Sequence, residues 1–348
     1  MRKLVTIRKV SNIEPIPEAD RIELAQIDGW KCIVRKGEFT IGDTALYFEI
    51  DSFIPEDDSR FKFLENDKVR THSDGSKGYR IKSKKMKGVL SQGLLLPLSE
   101  FPECTNNIME DYSDLLKIKV WEAPIPVTMR GTVKNSFPGF IRKTDQERIQ
   151  NLPEFFDLYK DVEFEETEKL DGTSCTVYCI GDQIGVCSRN LEFKENGDDI
   201  YWKTIKDSSI DVALKNICKD INLALQGEII GPGIQKNLYK LQKHEFRLFD
   251  IWDIDNQCYL THSQRKEAFL DLSLMCKIEH VPFIRNTKIF SETTTMNELL
   301  NYSSGYSLIE PSLVREGIVF KSFDGKVSFK VINNIFLFDV HPLKEDKK

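Results

Sequence analysis

Short runs of apolar residues alternate with polar ones through the first third of the chain. Leu4–Val10 (LVTIRKV), Ile22–Ile27 (IELAQI), Trp30–Lys36 (WKCIVRK) and Thr44–Ile50 (TALYFEI) each read as strands, punctuated by Gly29, Gly37 and Gly42. Gly37 and Gly42 flank Glu38–Ile41, which reads as a turn leading into the strand at Thr44. Nothing here has a long helical period, so the pattern predicts a small β-barrel.

The pattern changes after the proline-marked stretch WEAPIPVTMRGTVKNSFPGF, where Pro124, Pro126 and Pro138 disfavour regular helix and mark a domain boundary. Beyond it, SCTVYCIGDQIGVCSR predicts a hairpin turning at Gly181-Asp182, and EFRLFDIW with CYL predicts a second one around Asp253–Asn256. IDVALKNICKDI and SQRKEAFLDLSLMCKI carry apolar residues at helical spacing. Strands and helices do not alternate regularly, which argues against a doubly wound parallel sheet. The expected class is α+β: an N-terminal OB-type β-barrel over residues 1–125, then a mixed α/β domain with antiparallel sheets over 126–348. The closing LKEDKK reads as a solvated end.

Composition narrows the function classes. The 348 residues are 40% hydrophobic and 30% charged, enough for two cored domains and unlike a disordered chain. No apolar run has the length of a membrane span or a signal-peptide core. Eight cysteines show no CxxC pair; Cys175 and Cys179, four apart, share one strand face and read as core rather than metal ligands. An intracellular, non-secreted protein with reduced thiols is expected. A formal charge of −6 excludes indiscriminate coating of nucleic acid, but it is unevenly spread. From Lys68 to Lys87, eight cationic residues against Asp74 alone give +7, leaving −13 for the remainder. Within RIKSKKMK, Arg80, Lys82 and Lys84 share a face if the run is extended; with Lys85 and Lys87 they form a candidate phosphate-tracking surface, against the plainer reading of a solvated loop.

One ordered set of segments carries the chemistry. EKLDGTS (Glu168–Ser174) is followed by LQGEIIG around Glu228, FRLFDIW around Phe249, REGIVFKS around Glu316 and Lys321, and SFKVIN around Lys330. Each alone is a common turn or strand; in this order they answer one problem. A lysine that attacks phosphorus must be neutral, yet a free lysine is neutral at pH 7 to only roughly one part in 2,500. Lys321 and Lys330, placed near Lys169, would disfavour its ammonium and later clamp a phosphate. Asp171, Glu228 and Glu316 are candidate holders of a hard divalent cation through its waters. Phe249 offers a flat face for a base, and Glu168 or its backbone an edge to read it. The set describes a lysine-nucleotidylation site.

These segments resemble motifs I, III, IIIa, IV and V of the covalent nucleotidyltransferases, which comprise DNA ligases, RNA ligases and mRNA capping enzymes. Ser174 stands where DNA ligases and capping enzymes tend to carry arginine, which favours RNA ligase. SRN at Ser188–Asn190 resembles motif Ia, with Arg189 as its contact to ribose or substrate. RKTDQERIQN (Arg142–Asn151) is similar to an element of ATP-dependent RNA ligases; its plainer reading is a helix start capped by Thr144 with Glu147 in a capping box. Ile16–Pro55 also looks like the OB domain of the fifth RNA ligase family (Deinococcus/Naegleria type), whose domain order this chain shares.

The resemblance implies an ATP-grasp-like ligase domain and an ATP-dependent RNA ligase, with Mg²⁺ or Mn²⁺. Lys169 would take AMP covalently and pass it to a 5′-phosphate RNA end, and a 3′-OH would then attack. The substrate would be nicked duplex or RNA–DNA hybrid, the enzyme a monomer, and Arg148 would engage pyrophosphate. The motif V match is incomplete: Lys330-Val331-Ile332 has only the first of two usual lysines. DNA ligation, RNA capping and a non-catalytic OB-type RNA-binding protein remain the alternatives. A P-loop kinase does not, since no GxxxxGK[ST] occurs.

Overall fold

Strands form wherever the alternation marks them. The computed structural model describes residues 2–105, 107–125, 131–195, 198–219 and 221–340; Pro126, Asp220 and the closing LKEDKK lie outside these. The chain divides into two compact units, Met1–Pro126 with Leu337–Lys348, and Val127–Phe336. No helix among the described residues is long and apolar enough to cross a membrane.

In the first unit, Thr44–Phe48 pairs antiparallel with both Val5–Lys9 and Leu94–Pro97. Its side chains serve two cores at once: Leu46 and Phe48 join Val5, Phe61 and Phe101, while Ala45 and Tyr47 join Trp30 and Val34. A strand covered on both faces needs no polar side, which is why TALYF is nearly continuously apolar. Asn12–Pro15, Ile22–Ile27 and Trp30–Arg35 form a separate meander, and Ser52–Pro55 pairs with Lys77–Arg80. The ladders remain separate among the described residues, so the hydrogen-bonded sheet does not close into one continuous barrel.

The second unit is built from two mainly antiparallel sheets. The larger includes Gln183–Cys187, Thr173–Ile180, Leu223–Ile230 and Glu245–Asp253 as successive neighbours. Both expected hairpins are present, turning at Gly181-Asp182 and after Asp253. Helices Ile200–Asp207, Ile210–Ile217 and His262–Met275 contribute to its core, where Cys175, Val177 and Cys179 are fully buried. The smaller sheet runs Glu147–Arg148, Ser328–Ile332, Gly317–Ser322, Phe164–Lys169, Phe283–Thr287. RKTDQERIQN does not start a helix. Glu147–Arg148 instead joins this sheet parallel to Phe329–Lys330, and a short 3-10 turn follows at Ile149–Asn151; ladder pairing outweighs the local capping signal.

In the smaller sheet, period-two alternation separates two tasks. Phe164, Ile318, Phe320, Phe329 and Val331 point to one face and build a core, leaving Thr167, Lys169, Val319, Lys321 and Lys330 on the other. Phe320 and Phe329 stack at 4.8 Å, both fully buried. Phe329→Ala is expected to lower the unfolding free energy of this unit by roughly 3–5 kcal/mol in urea titrations; a loss below about 1 kcal/mol would contradict the assigned role.

Candidate active site

Lys169 ends its strand opposite Gly317, so the residue before that glycine, Glu316, lies beside it. The ammonium donates to Glu316 Oε1 at 2.6 Å. Leu170–Gly172 then carries the chain from the smaller sheet into the larger one. Gly172 passes so close to Leu223–Ile230 that a Cβ would meet Ile229 O at 2.4 Å, and its N–H donates to Glu228 Oε1 at 3.1 Å. Asp171 N–H donates to Tyr239 Oη at 2.8 Å, a support that no motif announces. A cavity of about 350 Å³ lies between the sheets, bordered by Lys169, Asp171, Glu228, Phe249, Lys321 and Lys330 among others.

The electrostatics reverse one expectation. Burial favours the neutral amine of Lys169, but Glu316, Glu228 and Asp171 outweigh it and raise its pKa. The cations expected to depress it are placed otherwise: carboxylates, not Lys321, dominate around the amine. Burial pushes Glu228 up to about 8, against the pull of Lys169, and raises Glu316 as well. Glu316 Oε2 is buried without a hydrogen-bond partner among the described residues. These are hard oxygen donors carrying more negative charge than one lysine satisfies, which suits a divalent cation. No three acidic, histidine or cysteine side chains among the described residues converge on one direct metal position.

Lys321 is engaged beside Phe249. Its ammonium donates to Phe249 O and, at 2.7 Å, to Asp250 Oδ2, and lies 5.2 Å from the Phe249 ring centroid. Burial, with help from Arg265, lowers its pKa although Asp250 opposes this. Asp250 also faces Arg265 at 3.6 Å, and Arg265 pairs with Glu165. Glu168 departs from expectation as well. Being one residue from Lys169 it faces the opposite way, and its buried carboxylate accepts from Leu308 N–H at 2.7 Å. Its other oxygen, Oε1, is buried without a hydrogen-bond partner among the described residues.

Arg189 pairs with Asp145 at 2.8 Å, and Thr144, Asp145 and Gln146 border the cavity with it. The register sets Arg148 directly beside Lys330, with Val319 and Thr167 next in the row. Sequence reading missed the roles of Thr144, Gln146, Tyr239 and Val281; of these, only the first two lie in a segment that stood out.

An OB-fold domain model matches residues 4–98, and the RNA ligase model matches residues 162–332. A lysine variant of Naegleria gruberi RNA ligase without ligand is 43% identical, covering 97% of this chain and 98% of that chain with a TM-score of 0.83. The chain belongs to the RNA ligase family. The Naegleria gruberi RNA ligase with PPi is likewise 43% identical over 97% of this chain and 98% of that one, TM-score 0.82. A further lysine variant of it, with ATP and Mn, is 43% identical over 96% and 98%, TM-score 0.82. Among curated proteins none matches.

In the OB-fold unit of this RNA ligase, the basic run is not one extended strand. Lys77–Arg80 and Lys84–Met86 are separate strands, with buried Ile81 between them. Arg80 pairs with Asp51 at 2.6 Å and Lys84 with Asp67 at 2.9 Å. Lys85 lies 3.7 Å from the Phe338 ring centroid. Lys82 and Lys87 remain exposed, and burial together with Arg70 and Arg80 lowers the pKa of Lys82.

Asp250 is the hub of the buried ionic group. Asp250→Ala leaves the Lys321 ammonium without its carboxylate and is expected to destabilise the second unit by on the order of 3–5 kcal/mol, read by urea unfolding.

Proposed function

We propose that this RNA ligase joins RNA 3′-OH and 5′-phosphate ends in three nucleotidyl-transfer steps that pass through Lys169, acting at nicks in duplex. The observation that carries the reading is the half-buried Lys169 ammonium, 2.6 Å from Glu316 and bordering a cavity with Phe249 and Lys330. In the first step Lys169 Nζ forms a bond to the α-phosphorus of ATP while the bond to pyrophosphate breaks. Nζ must first shed a proton, and Glu316 Oε1 is the acceptor nearest to it. Asp171, Glu228 and Glu316 would hold Mg²⁺ or Mn²⁺, which when bound offsets the negative charge of these carboxylates and of the α-phosphate.

Phe249, with the Lys321 ammonium fixed over its ring, would seat the adenine, and the backbone of Glu168 would meet its edge. Lys330 and Arg148, adjacent in register, would bind phosphate and departing pyrophosphate, and Arg189 the ribose or the RNA. In the second step the AMP phosphorus passes from Nζ to the RNA 5′-phosphate. In the third a 3′-OH oxygen attacks that phosphate and AMP leaves. These in-line transfers need positioning and charge neutralisation more than proton chemistry, and the side chains present are of that kind. Arg80, Lys82, Lys84, Lys85 and Lys87 would contact RNA, with Lys82 and Lys87 the most available. All eight cysteines are unpaired, which suits a reducing, intracellular setting, and a monomer is sufficient for the site as described.

Incubation with labelled ATP and Mg²⁺ or Mn²⁺ is expected to label the protein covalently, and Lys169→Met to abolish the label. Persistence of label in that variant would overturn the assignment. Asp171→Ala, Glu228→Ala and Glu316→Ala are each expected to impair labelling in a metal-dependent way. Charge reversal at Lys82 and Lys87 is expected to slow nick sealing and reduce the salt slope of RNA binding by about one per lost phosphate contact, while self-labelling persists.

A further inference from the structure

A second cavity, of about 790 Å³, opens in the same unit beyond Val281, a residue that also borders the first. None of the three transfer steps uses it. Its size is that of a small-molecule pocket. Its walls carry apolar surface and cations, with the carboxylates Glu165 and Glu279 among them. Phe269, Phe283, Pro282 and Ile309 present flat or apolar surface, and Phe283 is 51% exposed despite its size. Arg247 and Lys266 bring positive charge. The guanidinium of Arg247 pairs with Glu245 and lies 3.6 Å from Glu279, but its buried Nε has no hydrogen-bond partner among the described residues. Lys266 is exposed and makes no ion pair among the described residues.

A third feature is His280. Its Nδ1 donates to Val281 O at 2.7 Å, and burial pushes its pKa down to about 4, so the ring is neutral at physiological pH. A neutral imidazole that donates through Nδ1 must accept through Nε2. The cavity therefore asks for a flat body, an anionic group, and an amino or hydroxyl donor. A nucleoside monophosphate combines all three: base, phosphate, and exocyclic amine or ribose hydroxyls.

We propose that this cavity is a second nucleotide site, which takes one nucleoside monophosphate unit, either free AMP or the terminal nucleotide of an RNA strand. The inference rests on the reading of the first cavity as the ATP site. A buried ionic chain joins the two. Lys321 meets Asp250 at 2.7 Å, Asp250 meets Arg265 at 3.6 Å, Arg265 pairs with Glu165, and Glu165 lies 3.3 Å from His262. Lys321 borders the first cavity; Arg265, Glu165 and His262 border the second. An anion bound in the second competes with Glu165 for the same cations, which gives its occupancy a physical route to Lys321.

The test uses enzyme converted fully to its lysyl-AMP form, in which covalently held AMP blocks the first site. Equilibrium dialysis against radiolabelled AMP is expected to find one further equivalent bound, with inorganic phosphate and adenosine each at least about ten-fold weaker. Lys266→Glu combined with Phe283→Ser, both at exposed positions, is expected to weaken that binding about ten-fold or more while self-labelling with ATP continues. A 3′-OH oligonucleotide that displaces the AMP identifies the RNA terminus as the natural occupant, and one that does not identifies the free nucleotide. Lysyl-AMP enzyme that binds no further AMP, or that binds it undiminished in the double variant, overturns the second site alone. Failure to form lysyl-AMP at all overturns the first-site reading, and this inference with it.

Discussion

A half-buried lysine ammonium facing three carboxylates is the interaction on which the second unit is organised. Lys169, Asp171, Glu228 and Glu316 come from three separate stretches of chain, and each is brought in by a sheet pairing rather than by proximity in sequence. These four ionisable groups are only partly withdrawn from water, but one cation cannot satisfy three anions. Burial resists that charge: it pushes the pKa of Glu228 up to about 8 and raises that of Glu316. The site in this state holds Lys169 as the ammonium, which cannot attack phosphorus. A cation added among these carboxylates would favour the neutral amine, which ties the proposed metal to the same charge imbalance.

That constraint explains the two close backbone approaches around the lysine. A Cβ on Gly317 would meet Val331 O at 2.2 Å, and one on Gly172 would meet Ile229 O at 2.4 Å. The first keeps Glu316 at hydrogen-bonding distance from Lys169; the second lets the chain cross from one sheet to the other while Glu228 reaches Gly172 N–H. The motif glycines thus serve strand spacing, Gly317 within the smaller sheet and Gly172 between the sheets, and the charged residues depend on that spacing for their partners.

Much of this was legible in the sequence, because strand periodicity and motif order are local signals. Lys169, Asp171, Glu228, Phe249, Lys321 and Lys330 do border one cavity, and the first four strands marked by alternation and both hairpins are present. What was not legible depends on partners far away in the chain. The motif showed Glu168 beside Lys169 but not that a strand turns neighbours to opposite faces, leaving its carboxylate to Leu308. Nothing local to Lys321 foretold that Asp250 and Arg265 would hold it beside Phe249. The sign of the shift at Lys169 was misjudged for the same reason: the cations were counted by motif, whereas the nearest charges are acidic. Arg80 and Lys84 likewise looked available until Asp51 and Asp67 were found against them.

The incomplete motif V shows how topology can stand in for a residue type. Along Ser328–Ile332, the site-facing positions after Lys330 continue to Ile332, which is 3% exposed and opposite Gly317. A second lysine there would put its charge against the tightest backbone approach in the sheet, where Gly317 already leaves no room for a Cβ. The parallel pairing of Glu147–Arg148 instead sets Arg148 next to Lys330 across the ladder. The stretch that departs from its local helix signal is therefore the one that sets a second cation beside Lys330. A strand of two residues is enough for this, since only one side chain has to be delivered and the register of Ser328–Ile332 determines where it lands.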